Sequence, residues 1–383
     1  MALVHAFSPD IVGNGALNEG GNGGGKVLLD SDWTYTENNL NCYAQVRSST
    51  RLPLIGYGGS YRAIRMRGTT FGFGQKCYMY SPNPSFPAQA DGIIQFHLYI
   101  QNYGYNDDGY TFFALRTATG GPFEARFNTN GTISFYYWTG SAMAHGLTTS
   151  DVVTLNGWHT LAIRFKAGTA LSGLIWASID GGPVAKSASL SMGGVYSWCR
   201  YVFMSDTSYT DRYYTQISVF DDISEAMVGT QKWVTQLRPT GDASAPDTDW
   251  TGTPSSTPNL HDDVNQIDYV TSSYCSTVED PADELRFYPD YTETPGNGGI
   301  NAAWDPPVID GIVANAIMRG DGTLNQGSVV VETGGTPLPG DVATINSAGS
   351  LVPPKVYATK PSGGAWTKTD LTGTAAEFGV KAE

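Results

Sequence analysis

The stretch GLIWASIDGGPVAKS, Gly173 to Ser187, decides how this chain is read. Ile175, Ala177 and Ile179 alternate with Leu174, Trp176 and Ser178, the period that sends successive side chains to opposite faces of a strand. Asp180-Gly181-Gly182 then makes a turn, because glycine tolerates angles closed to other residues and aspartate can bond its own backbone. The chain returns through Val184 and Ala185. Asp180 reads first as the corner of a hairpin, with an occasional ligand role at that loop as the alternative.

The same period recurs on both sides. In GIIQFHLYIQ (92–101) Ile94, Phe96, Leu98 and Ile100 face a core, and Gln95, His97, Tyr99 and Gln101 face water. FEARFNTNGTISFYYW (123–138) reads as a hairpin, with Asn130-Gly131 supplying the positive φ angles of a tight turn. WHTLAIRF (158–165) puts His159, Leu161, Ile163 and Phe165 on one face. With no acidic neighbour at strand spacing, His159 reads as a packed core histidine rather than a base. Further strands are expected at 200–206 and 213–222. Strands about every ten residues, separated by turn signals, describe an antiparallel sandwich.

The totals agree. The chain has 383 residues, enough for two domains, with 46 Gly, 22 Tyr, 9 Trp and only 15% charged residues. No apolar run approaches the roughly 20 residues of a bilayer span, and MALVHAFSPD lacks the basic-then-apolar order of a secretory signal. No membrane insertion is expected. Cys42, Cys77, Cys199 and Cys275 are scattered and read as free thiols, so no zinc-type site is expected. Residues 1–240 balance 16 basic against 16 acidic side chains, whereas 241–383 hold 6 against 20. That acidic last third argues against nucleic acid as a partner.

LNGWHTLAIRF, IWASIDGGPVAKS and YYTQISVFDDIS together resemble the laminin-G-like, concanavalin-A-like jelly roll over about residues 40–225. The resemblance implies fold more than function, because lectins, glycanases and structural modules share it. Glycanases of this fold carry Glu-x-Asp-x-x-Glu on one strand, so that two carboxylates converge. That pattern is absent, as is GxSxG, and Asp221 and Asp222 point to opposite faces. The chain is therefore expected not to be an enzyme, with a glycan-degrading activity as a remote alternative.

Binding residues are sought in two loops. NYGYNDDGY (102–110) carries Tyr103, Tyr105, Asn106, Asp107 and Asp108, and MSDTSYTDRYY (204–214) carries Tyr209 and Asp211. Oxygen ligands suit calcium, and tyrosines beside them suit a sugar ring. The alternative is a solvated loop packed on a neighbouring subunit.

Residues 241–300 are rich in Pro, Thr, Ser and Asp, and 241–290 hold 11 acids and one base, Arg286. Trp250, Ile267, Tyr269, Leu285 and Phe287 are too apolar for an idle linker, so an ordered, extended strap is expected. Strands return after 306, with one short helix in TKTDLTGTA capped by Thr367 or Thr369. LRPTGD, WTGTPSS, NQIDYV, DELRFYPD, VIDGIVANAIMRGDG and PSGGAWTKTDLTGTAAEFGVK, in that order, resemble a recurring module of tailed-bacteriophage virion proteins.

The expected fold is all-β: an antiparallel jelly-roll sandwich, an extended linker and a smaller second β-sandwich-like domain. The expected limits are a Gly-rich arm 1–39, the jelly roll 40–236, an acidic strap 237–305 and a C-terminal β domain 306–383. The resemblance implies a virion component, tail or surface-displayed, assembled in the host cytoplasm. It would act through other virion proteins as a symmetric homo-oligomer, with a glycan-binding adhesin as the alternative.

Overall fold

The computed structural model describes residues 3–7, 15–16, 26–27, 34–37, 42–48, 62–68, 76–81, 91–101, 110–116, 121–193, 200–206, 211–221, 223–232, 239–243, 251–253, 274–276, 284–289, 309–318, 325–345, 350–371 and 374–383. The strands of the first two-thirds are β1 (Leu3–Phe7), β2 (Gly15–Ala16), β3 (Lys26–Val27), β4 (Thr34–Glu37), β5 (Cys42–Ser48), β6 (Arg62–Gly68), β7 (Lys76–Tyr80), β8 (Asp91–Ile100) and β9 (Tyr110–Arg116). They continue as β10 (Phe123–Phe127), β11 (Ile133–Trp138), β12 (Met143–Thr148), β13 (Trp158–Lys166), β14 (Leu174–Ile179), β15 (Ala185–Lys186), β16 (Arg200–Asp206) and β17 (Asp211–Phe220). A single helical turn, α1 (Glu225–Val228), follows, capped by the Ser224 side chain.

These strands form two antiparallel sheets. One runs β15-β14-β13-β8-β17-β6-β5-β2, with β1 also on β17, and the other runs β12-β11-β10-β9-β16-β7-β4-β3. Strands within the stretch read as an arm thus join both sheets. At Gln216 (φ 50°) the register of β17 shifts against β8, and β17 exchanges β6 for β1 as its other neighbour. The inner faces meet in one aromatic core, where Phe96 lies 5.3 Å from Phe113 and 4.9 Å from Phe203, and Phe112 stacks on Phe127 at 4.0 Å. The antiparallel jelly-roll reading holds.

Two local expectations change. In the 123–138 hairpin only Gly131 takes positive φ (84°), and Asn128 N–H bonds to the Thr132 carbonyl. That is a wider turn than the two-residue one expected at Asn130-Gly131. More important, β8 is buried on both faces: Gln95 and His97 are 0% and 2% exposed, not turned to water. Their face is covered by α1 and the segment after it. Gln95 Nε2 donates to the carbonyls of Met227 (2.9 Å) and Thr230 (2.7 Å), and its Oε1 accepts from Lys232 N–H (3.0 Å). Leu3, Ile93, Phe220, Met227 and Val228 pack together on the same side, with Val313 and Val356 against them.

The last third contributes β18 (Pro239–Asp242), β19 (Thr251–Thr253), β20 (Tyr274–Ser276), β21 (Glu284–Pro289), β22 (Ile312–Met318), β23 (Gln326–Thr333), β24 (Thr336–Pro339), β25 (Ala343–Thr344), β26 (Ser350–Tyr357) and β27 (Ala376–Ala382). A sheet ordered β18-β21-β27-β23-β24, with β25 also on β23, lies beside the β22–β26 pair; β19 and β20 form a separate pair. Val331, Tyr357, Trp366, Leu371 and Ala376 form its main apolar cluster, with Ile312 and Ala314 against it. The expected helix is a 3-10 turn, Lys368–Leu371, where Asp370 accepts from both N–H and Oγ1 of Thr367. Arg286, the one base of 241–290, bridges Glu284, Glu332 and Glu377 across adjacent strands. Lys232 and Asp310, 2.7 Å apart, tie this part to the sandwich.

Gln95→Ala should remove three hydrogen bonds, one buried and two partly buried, while leaving the inner core intact. Urea unfolding is expected to show a loss of about 2–3 kcal/mol. A change within experimental error would mean that the covering segment is not held by this side chain.

Candidate functional site

The corner at Asp180 has a second role. Asp180 (φ 56°) and Gly181 (φ 68°) form the turn, closed by Gly182 N–H to the Ile179 carbonyl at 2.9 Å. Positive φ at both central positions is the type I′ geometry that matches strand twist. The turn aims the carboxylate back at β13. Oδ1 accepts from Thr160 N–H at 2.8 Å, and Oδ2 lies 2.6 Å from His159 Nδ1. On the far side of the ring, Nε2 accepts from Thr154 N–H at 3.0 Å and lies 2.9 Å from Thr154 Oγ1. Accepting at Nε2 places the ring proton of the neutral imidazole on Nδ1, donating to Asp180. The expectation that His159 has no acidic neighbour is thus corrected: the acid comes from the next hairpin, 21 residues on.

Hydroxyl, imidazole and carboxylate in a row is the order found in nucleophilic hydrolases. Here the amide of Thr154 shares the Nε2 lone pair, so the ring clamps the 151–157 loop to the hairpin corner. Burial tends to raise the Asp180 carboxyl, but the bonds from His159 and Thr160 and the charges of His159 and His97 outweigh it and hold it below the ordinary range. His97 lies on the covered face of β8, with Nε2 3.2 Å from the Lys232 carbonyl. Burial pulls its pKa down to about 4, against the opposing pull of the Lys232 carbonyl and Asp180.

A second array lies on the outer face of the eight-stranded sheet, where β9 to β12 run side by side. Cross-strand register sets Ala114, Glu124, Tyr136 and His145 in one row and Thr111, Arg126, Ser134 and Thr148 in the next. Glu124 accepts from Thr111 Oγ1 (3.1 Å), Arg116 Nη2 (3.3 Å) and Arg126 Nη2 (2.9 Å). The Arg126 guanidinium sits 4.4 Å over the Tyr136 ring, and His145 meets that ring edge-on at 5.7 Å. His145 Nε2 lies 2.8 Å from Thr148 Oγ1, which lies 2.9 Å from Ser134 Oγ. Trp138, half-buried, lies two residues along from Tyr136 on the same strand face. Their convergence across four strands is a matter of register, which alternation within one strand does not report.

Of the residues singled out in loops, Tyr103, Tyr105, Asn106, Asp107, Asp108 and Tyr209 lie outside the described residues. Asp211 opens β17 and is buried, with Oδ1 and Oδ2 on Arg65 Nε (3.0 Å) and Nη2 (2.7 Å), and Arg67 Nε 3.6 Å away. Among the described residues no cluster of three or more His, Cys, Asp or Glu side chains is placed to hold a metal.

No family model matches the chain, and no curated protein matches it. Solved structures do. A carbohydrate esterase from Shiga toxin-encoding bacteriophage phi24B matches at 15% identity over 56% of this chain and 98% of its own, with a TM-score of 0.34. An endo-β-1,4-glucuronan lyase from Trichoderma reesei matches at 13% over 55% and 96%, with a TM-score of 0.36. The VIP36 exoplasmic/lumenal domain in its Ca2+/Man-bound form matches at 11% over 60% and 95%, with a TM-score of 0.34. These matches correct the expectation that the chain is not an enzyme. A carbohydrate esterase and a glucuronan lyase stand among them.

Asn also tolerates the positive φ of the corner, so Asp180→Asn isolates the charge. The Asp180 carboxyl is lower in the folded chain, so its stabilisation is present above the unfolded pKa and lost as pH falls through the folded value. At pH 7 the variant should lose about 1 kcal/mol, a modest figure because the side chain is 43% exposed. Denaturation at pH 7 and pH 3 should show the gap closing at the lower pH; a gap that widens would contradict the bond to His159.

His97 gives the complementary test. Its folded pKa is below the unfolded value, so protons bind the unfolded chain first and stability falls between pH 6.5 and about 4. The full loss from this group is roughly 3 kcal/mol. His97→Gln should flatten that part of a stability-against-pH curve, and an unchanged slope would place the acid sensitivity elsewhere.

Proposed function

We propose that the chain is a structural component of a tailed-bacteriophage virion, displayed at its surface, and that the outer face of its eight-stranded sheet binds a glycan. The binding half rests on one observation: Arg126, Tyr136, His145 and Thr148 form a fixed polar and aromatic array on that face. Aromatic rings flanked by converging donors and acceptors suit sugars, which present apolar C–H faces and hydroxyl edges together. The opposite sheet is poorly suited, because α1 and β22–β26 pack against its outer face. The virion setting rests on the resemblance of 237–383 to a virion module. In this reading 40–236 is the displayed unit, while 237–305 and 306–383 contact other virion proteins in a symmetric homo-oligomer.

A glycan array probed with the whole chain tests the binding half. Trp138→Ala is expected to weaken the strongest signal at least tenfold, about 1.4 kcal/mol, without changing the melting temperature appreciably. If Tyr105→Ala or Asp107→Ala abolishes binding while Trp138→Ala leaves it intact, the site is in the loops and not on this face. Particles labelled with antibody to this chain should carry label at their surface; unlabelled intact particles would contradict display.

A further inference from the structure

Arg212 is a charged side chain enclosed in the sandwich. It is 0% exposed and carries the positive charge of a guanidinium. Nη1 donates to the carbonyls of Thr111 and Met204, each at 3.2 Å, and the Phe127 ring lies 5.7 Å from Cζ. Among the described residues, Nε and Nη2 have no hydrogen-bond partner. Two neighbouring carboxylates are committed elsewhere. Asp211 precedes it in β17, where alternation sends it to the other face, and it is held by Arg65. Glu124 is on the outside of the other sheet, held by Arg116 and Arg126.

The two unpartnered donors are a matched pair. Nε and Nη2 form one edge of the guanidinium, and among the described residues two arginines set that edge against both oxygens of one carboxylate. Arg65 binds Asp211 through Nε and Nη2 at 3.0 and 2.7 Å, and Arg164 binds Asp91 through the same atoms at 2.9 and 2.8 Å. Two parallel N–H groups fit the two oxygens of a carboxylate. Two carbonyl dipoles on Nη1 soften a buried positive charge but do not cancel it, and an uncompensated buried charge is strongly destabilising.

We infer that Arg212 forms the base of a binding site for one small monovalent anion, a carboxylate or an inorganic ion, taken up between the two sheets. The site lies near the start of β17, one residue from Asp211, which suited calcium on sequence. A fixed cation there favours the opposite sign of ligand. Water would satisfy the two donors without balancing the charge, so the two occupants respond differently to salt.

The test is thermal unfolding of the whole chain at matched ionic strength in sodium formate, sodium chloride and sodium gluconate, the last too bulky for the core. From 1 to 100 mM, formate or chloride should raise the melting temperature by about 3 °C or more relative to gluconate, as expected for a ligand of the folded state. A larger effect of formate assigns the site to a carboxylate, and a larger effect of chloride to an inorganic ion. Arg212→Met should abolish the difference between salts. If that variant does not fold, Arg212→Lys keeps the charge but presents no two-donor edge, and the formate effect should fall at least threefold. Equal melting in all three salts overturns the inference in favour of water, and so does a difference that persists in Arg212→Met or is undiminished in Arg212→Lys.

Discussion

A strand buried on both faces is the constraint on which the arrangement depends. β8 sends Phe96 and Leu98 into the sandwich core and Gln95 and His97 into a second layer. Polar groups so placed must find partners or forfeit the free energy of their lost hydration. They find them mostly in backbone, in the carbonyls of Met227, Thr230 and Lys232 and the amide of Lys232, with Thr160 Oγ1 also 3.4 Å from His97 Nε2. An irregular segment is thereby fixed on a regular sheet. Its own backbone groups, unmatched by helix or strand, are satisfied by side chains of the sheet beneath.

That covering layer gives the molecule a direction. One sheet is backed by the chain's own later residues, through the apolar cluster around Phe220 and Met227 and the pair Lys232–Asp310. The other presents a ladder in which Glu124 gathers Thr111, Arg116 and Arg126, and Arg126 in turn covers Tyr136. Because these side chains are held by one another, ordering them costs little when a partner arrives. The proposed glycan-binding role rests on this division between a backed face and an open one.

Much of the sandwich was legible in the sequence. Period-two alternation located β8, β10, β11, β13 and β14, and Asp180-Gly181 marked its turn, because these signals are local. What was illegible depends on distance along the chain. Nothing near His159 announces that an acid will arrive from the next turn, and nothing in Gln95 or His97 announces a cover supplied more than 130 residues later. Alternation reports that a strand has two kinds of face; it does not report whether the polar one meets water. The outer-face array was half legible. In FEARF, Glu124 and Arg126 alternate with Phe123, Ala125 and Phe127, but only the pairing of four strands sets them in rows with their neighbours. The loop residues 103–108 fall outside the described residues, and the placement of Asp211 beside Arg65 required the pairing of β17 with β6.

The division between a covered and an offered face can be measured directly by hydroxyl-radical footprinting of the intact chain, read residue by residue by mass spectrometry. The account predicts that His97 and Tyr99 on β8 are protected as strongly as Phe96, while Trp138 and His145 are oxidised at a substantial fraction of their unfolded rates. Oxidation of His97 and Tyr99 at rates matching Trp138 and His145 would show that the nine-stranded sheet is open to water, and would contradict it.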